Sequence, residues 1–338
     1  MNMRRHYLLK LGKGNSLFDF FDKKRIDQHV IIGHGSWKVL DYPGNYLNCG
    51  TDQKDKDFIK RSKKQIEDFF DHREDKKNSF FWLFHNSKIY ALQPDSDIYD
   101  LEEYLKQNIN KKFTEYCCSE DDWTDYKKRE KIDNNKFHLW ADAKLFKAKK
   151  VLELESSSVI HNFASTNANR YYNSKTIVKL QKDSLLYDIA DSIIKIKLLK
   201  GNHKAVPNDI EEKLKYLSPT QFETLVFLTL YEMGYLPSTY RGGSGKDHDI
   251  FLYDADKNLS KKLEGKKYIS VKLNSSQTNY PLTDEENSVY VFGVSDTKSS
   301  NKNSINIMEL MNDLKEKERD RINSWIGCQI SNLLPFSR

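Results

Sequence analysis

The sequence predicts two domains in tandem, a strand-rich α+β barrel in the first half and a compact α/β domain in the second. Length is the first observation behind this: 338 residues suggest two domains of ordinary size, each able to bury its own core. The second is a set of aromatic and β-branched runs, FFWLFHNSKIYAL at 80–92, KFHLWADAKLFKAKKVLEL at 136–154 and YYNSKTIVKL at 171–180, which predict strands of a small mixed barrel. The third is the order of signals after residue 209, helix, three short strands and helix, which describes an α/β unit.

Each element has its own justification. Residues 1–50 alternate short apolar runs, HYLLKLG and HVIIGHG, with glycines, predicting strands joined by tight turns. DKDFIKRSKKQIEDFFD at 55–71 sets Phe58, Ile59, Ile66, Phe69 and Phe70 on a charged background at helical spacing, an amphipathic helix. Residues 181–215 read as helix, loop and helix start, punctuated by Gly201 and Pro207, so the boundaries fall at 1–180, a helical linker 181–208, and 209–338.

LSPTQFETLVFLTLYEMGY then gives a strong helix. Ser218 is its N-cap, Pro219 its first residue and Gln221 the capping-box partner. Phe222, Leu225, Val226 and Met233 make the buried stripe, and Gly234 ends it. DIFLYDA, KKYISVKL and SVYVFGVSD follow as strands, and INIMELMNDLKEKERDRINSWI as one terminal amphipathic helix.

Composition narrows the function classes. Hydrophobic residues are 38% and charged residues 31% of the chain, a globular composition. The longest apolar stretches, such as FFWLF at 80–84, are too short to span a bilayer, and the N-terminal stretch lacks the apolar region of a secretory signal. A cytoplasmic protein without membrane partners is expected. Cys49, Cys117, Cys118 and Cys328 have no C-x-x-C spacing, so free thiols are expected rather than a zinc site or disulfide framework. The net charge of +6 is uneven: residues 209–338 hold 17 Lys+Arg against 19 Asp+Glu, leaving 38 against 30 in residues 1–208. A basic surplus in the first part favours polyanions, though a Lys-rich composition alone also produces one.

The stretch RGGSGKDHDIFLYDADKN...GKKYISVKLN, residues 241–274, carries the chemistry. Asp247 and Asp249 lie in and just after a glycine-rich turn, and Lys272 stands inside an apolar strand. Phosphodiester hydrolysis needs a divalent cation held by carboxylates and a protein cation near the attacking water or the phosphate. Glu223 on the preceding helix, Asp249 at a strand start and Lys272 on the next strand suit that need. Spacing alone is weak evidence, because aspartate is a common turn residue and strand lysines commonly reach to solvent.

Taken together, LSPTQFETLVFLTLYEMGY, GGSGKDHDI and YISVKLN resemble the catalytic domain of Mrr-type restriction endonucleases, in the PD-(D/E)xK nuclease superfamily, over roughly residues 215–296. In that family a helix with a Phe-Glu pair leads to a Gly-Gly-x-Gly turn, an aspartate opening a strand, and Gln-x-Lys or Glu-x-Lys on the next strand. The resemblance implies a PD-(D/E)xK-like α/β fold, Mg²⁺ as cofactor, cleavage of double-stranded DNA and a homodimer for cutting both strands. It makes Glu223 the helix glutamate, Asp249 the metal-binding aspartate and Lys272 the catalytic lysine. Two departures stand out. The turn reads GKDHDI where the family has G-D-x-G-x-D, leaving Asp247 as an alternative metal ligand, and the Gln or Glu two residues before the lysine is Ser270. The expected site is therefore Glu223, Asp249, Ser270 and Lys272.

HYLLKLGKGN, VIIGHGSW and FFWLFHNSKIYAL resemble, more weakly, PUA-like domains such as the EVE and YTH kinds, which hold a flipped or modified base in an aromatic pocket. That makes Trp37 and Trp82 candidate pocket walls, against the plainer reading of each as a barrel core residue. GKGN lacks the spacing of a phosphate-binding P-loop. The function classes left open are a nuclease dependent on modified bases, a sequence-specific nuclease, and a DNA-binding protein that lost catalysis with the change to Ser270.

Overall fold

A computed structural model describes residues 4–11, 18, 29–32, 71–100, 144–169, 177–239, 248–255, 259–278, 280–282, 284–295 and 302–336. The chain divides into two compact units, residues 1–156 with 164–201, and residues 157–163 with 202–338. The class is α+β, with a curled half-barrel sheet in the first unit and a second mixed sheet in the other. Of the expected helix at 55–71 only Asp71 is described, and the glycine-rich turn before Asp249, Trp37 and Asp247 lie outside the described residues.

The first sheet is built from β1 (Arg5–Leu9), β2 (His29–Ile32), β3 (Ser79–His85), β4 (Lys88–Asp100), β5 (Lys144–Glu155) and β6 (Ile177–Lys179), in the order β2-β5-β4-β3-β1-β6. β1 runs parallel to β3 and the other pairs are antiparallel, so the sheet is mixed, as the runs of aromatic residues predict. β3 and β4 form a hairpin whose two-residue turn, Asn86 and Ser87, has positive φ at both positions (48° and 60°). Asparagine tolerates that region better than most residues, and a turn of this hand matches the twist of the strands. Register shifts between Ala91 and Leu92 and between Pro94 and Ile98 interrupt the β4–β5 ladder. Bulges of this kind bend a long strand and accommodate a proline that has no N–H to donate.

Along the chain, α1 (His161–Asn169) precedes β6 and α2 (Leu185–Leu198) follows it. The linker expected at 181–208 is not a separate piece. Its helix α2 buries Ile189, Ala190, Ile193 and Ile194 and is tied to β1 by Arg4 Nε donating to Asp191 at 2.5 Å and by Tyr187 Oη donating to the Arg4 carbonyl at 2.7 Å. It belongs to the first unit, because an amphipathic helix needs a sheet to cover its apolar face.

The second unit keeps the expected succession of helix, strands and helix, with five strands where three are expected: β7 and β11 are too short to stand out in the sequence. α3 (Ile210–Leu214) and α4 (Pro219–Glu232) precede β7 (Pro237–Thr239), β8 (Ile250–Leu252), β9 (Tyr268–Asn274), β10 (Ser288–Val294) and β11 (Ser304–Asn306), with strand order β11-β10-β9-β8-β7. β7, β8 and β9 are successively antiparallel, while β9, β10 and β11 run parallel. The capping box of Ser218 and Gln221 is present in both directions, and Gly234 follows the helix at φ 96°. Phe222, Leu225, Val226, Thr229 and Leu230 are the buried face; Met233 is only half-buried at the helix end, so the stripe closes one turn earlier than expected.

The single terminal helix expected from INIMELMNDLKEKERDRINSWI is two, α5 (Ile307–Asn312) and α6 (Glu316–Ile330). A capping box between Asn306 and Glu309 starts the first. At the break, Arg319 donates to the carbonyls of Met311, Asn312 and Leu314 at 3.1, 3.2 and 3.1 Å, supplying partners for the acceptors that a helix end leaves open.

Candidate active site

Three of the expected residues are brought together by the junction of α4, β8 and β9. Asp249 stands immediately before β8, and its backbone N–H donates to the Ile269 carbonyl at 2.9 Å. The ladder continues as Ile250 opposite Ile269 and Phe251 opposite Tyr268. Beyond it, the Val271 N–H would lack a strand partner on that side. Asp249 Oδ2 takes the role, accepting from Val271 N at 2.6 Å. A carboxylate in place of a backbone acceptor fixes the side chain's direction, since hydrogen bonds to charged groups are the shorter and stronger kind.

Lys272 lies one residue further along β9, and its Nζ is 3.7 Å from Asp249 Oδ2. That is an ion pair with no direct hydrogen bond, and both side chains keep about a third of their surface in solvent, 35% and 30%. Asp249 and Lys272 therefore sit side by side on neighbouring strands, each part-exposed.

Glu223 comes from the opposite layer. Its carboxyl is held above its ordinary value, first by burial and then by the negative charge of Asp249, with Lys272 pulling the other way. The helix carrying it approaches the sheet closely because β10 has a glycine where the helix lands. A Cβ on Gly293 would stand 2.7 Å from Cε2 and 2.9 Å from Cζ of Phe222, and Phe222 is fully buried. Phe222 is the anchor that sets the depth of α4, and its chain neighbour Glu223 is carried to the site by it.

Ser270 behaves differently. It has no exposed surface and pairs with the buried Tyr290 across β9 and β10. Those surroundings suit a packing residue between strands, in contrast with the part-exposed Glu223, Asp249 and Lys272. Trp82 likewise has no exposed surface: its indole N–H donates to His6 Nδ1 at 3.1 Å, and it lies in the core of the first sheet rather than at a pocket mouth.

Asp249 and Glu223 offer hard oxygen donors, the type that Mg²⁺ takes. Their mutual repulsion is the kind that a divalent cation relieves, so the residues fit the ion that the resemblance implies. Among the described residues no cluster of three or more His, Cys, Asp or Glu side chains is gathered to hold a metal; Mg²⁺ commonly needs only one or two protein carboxylates and keeps several waters.

The raised Glu223 carboxyl has a measurable consequence for stability. Below pH 4.5, the ordinary value, it is protonated folded and unfolded and costs nothing. As pH rises past that value the unfolded chain ionises first, and the cost to the folded state grows until the raised value is passed. Glu223→Gln is therefore expected to melt higher than wild type at neutral pH in chelator, with the difference vanishing below pH 4.5. Equal melting temperatures at neutral pH would show that Glu223 carries no such burden.

No helix among the described residues is long and apolar enough to cross a membrane. Compared with known proteins, the chain matches no family model, no curated protein and no solved structure.

Proposed function

We propose that the chain is a Mg²⁺-dependent endonuclease acting on double-stranded DNA, with a PD-(D/E)xK-like second unit that cuts and a first unit that reads the DNA. The observation that carries this is the pairing of a strand-opening aspartate with a lysine on the next strand, Asp249 Oδ2 and Lys272 Nζ at 3.7 Å, beside a carboxylate on the preceding helix.

In this reading Asp249, fixed by the Val271 N–H, and Glu223 would hold the cation through their remaining oxygens. A divalent cation so held supplies charge neutralisation and an acidified water. Lys272 has three N–H donors and no acceptor, so it orients the attacking water or a non-bridging phosphate oxygen. Water oxygen would bond to phosphorus as the P–O bond to the leaving sugar breaks, with the proton that the attacking water sheds passing to solvent and the departing alkoxide taking one from solvent. The basic surplus before residue 209 supplies sequence-independent attraction to the backbone, and reading of bases falls to the first unit.

The deciding experiment is digestion of supercoiled plasmid, modified and unmodified, with Mg²⁺ and with chelator. Linear product appearing only with Mg²⁺ is expected, and the substrate that yields it distinguishes a modification-dependent enzyme from a sequence-specific one. Binding without cleavage on every substrate would establish a non-catalytic DNA-binding protein.

A further inference from the structure

The residue immediately before Asp249 is His248. The His248 ring lies nearly flat on Tyr268 of β9, with centroids 4.8 Å apart and planes at 24°. Tyr268 in turn leans on Phe251 at 5.5 Å and is held by its own N–H donating to the Asn287 carbonyl at 3.0 Å. The His248 Nδ1 is buried with no hydrogen-bond partner. The ring's flat face, and no polar contact of that nitrogen, is what engages the sheet.

We propose that His248 is a positioning residue: stacked on Tyr268, it pins the backbone just before β8 so that Asp249 meets both the Ile269 carbonyl and the Val271 N–H, leaving its other carboxylate oxygen for the cation. The proposal rests on the metal reading of Asp249 given above. The stack acts as a hinge pin just upstream of the ligand, and a ring of similar shape without nitrogen would serve as well. Removing the unpartnered Nδ1 breaks no hydrogen bond, and a buried unsatisfied polar atom is itself costly.

The test compares His248→Ala, His248→Phe and Tyr268→Ala in the full chain by two measurements, amide hydrogen exchange over residues 249–252 and 271, and Mn²⁺ binding followed by electron paramagnetic resonance. The two alanine variants are expected to exchange about three- to tenfold faster at the Asp249 and Val271 amides, the range an aromatic pair contributes, and to bind Mn²⁺ more weakly by a similar factor. His248→Phe is expected to restore both to wild-type values. Unchanged exchange in His248→Ala would overturn the proposal, and so would a His248→Phe variant as loose as alanine, since the imidazole nitrogen and not the stack would then matter. A wild-type chain that binds no Mn²⁺ would overturn the metal reading of Asp249, and the exchange arm would still decide whether the stack pins the backbone before β8.

Discussion

Asp249→Ala is expected to lower Mg²⁺-dependent cleavage on the order of a thousandfold, about 4 kcal/mol of barrier, while DNA binding by the basic surface is kept. The same change also removes the acceptor of the Val271 N–H, and a part-buried donor left unpaired costs about 1–3 kcal/mol of stability. A loss of activity in alanine alone would therefore mix two causes. Asp249→Asn separates them, because the amide oxygen still accepts from Val271 while the negative charge is gone. It is expected to melt near wild type and to cleave as poorly as alanine. Asparagine cleaving at the wild-type rate would refute the assignment. If the loss appears only in Asp247→Ala, the ligand is the neighbouring aspartate.

Gly293→Ala is expected to lower the stability of the second unit and its activity together. The added methyl meets the Phe222 ring at 2.7 Å, closer than carbon atoms pack, and the ring has no solvent-exposed side toward which to yield. Overpacking of this sort costs about 1–3 kcal/mol, seen as a drop in melting temperature. The strain has a second outlet, a small outward shift of α4, which would carry Glu223 away from Asp249 and Lys272. Cleavage is therefore expected to fall even at temperatures where the variant is folded, and Phe222→Leu in the same chain is expected to recover part of both losses. A Gly293→Ala variant as stable as wild type would show that the helix is not seated on that glycine.

The helix start at Ser218, Pro219 and Gln221 was legible because capping is local chemistry, read three residues at a time. The pairing of a strand-opening aspartate with a strand lysine comes from the resemblance, spacing alone being weak evidence, and FFWLFHNSKIYAL reads as strand without the turn at Asn86 and Ser87. What escaped the sequence depends on distant partners. Nothing near residue 293 says that Phe222 will land on it, and nothing near His248 announces Tyr268, 20 positions later. The start of α5 had a local sign, Asn306 three residues before Glu309, but the split after it, completed by Arg319 reaching back to three carbonyls, did not. Ser270 was assigned by its offset from Lys272, and burial, which the offset does not encode, sets it apart. The linker was drawn where punctuation residues cluster, whereas α2 is placed by the apolar face that it buries.

Residues 157–163 belong with the second unit although most of that unit lies after residue 202. Val159 bridges Leu334, with Leu334 N donating to the Ser158 carbonyl at 2.9 Å and Ile160 N to the Leu334 carbonyl at 3.0 Å, and Val159 and Ile160 are fully buried. On the ribosome, at about 5–20 residues per second, this early strand emerges and then waits while some 175 further residues are made before its partner exists. The second unit thus finishes folding only near the end of synthesis, through a contact of very long sequence separation, the sort that slows folding. During that interval an apolar segment is without its cover. A gene fragment starting at residue 209 would omit it altogether.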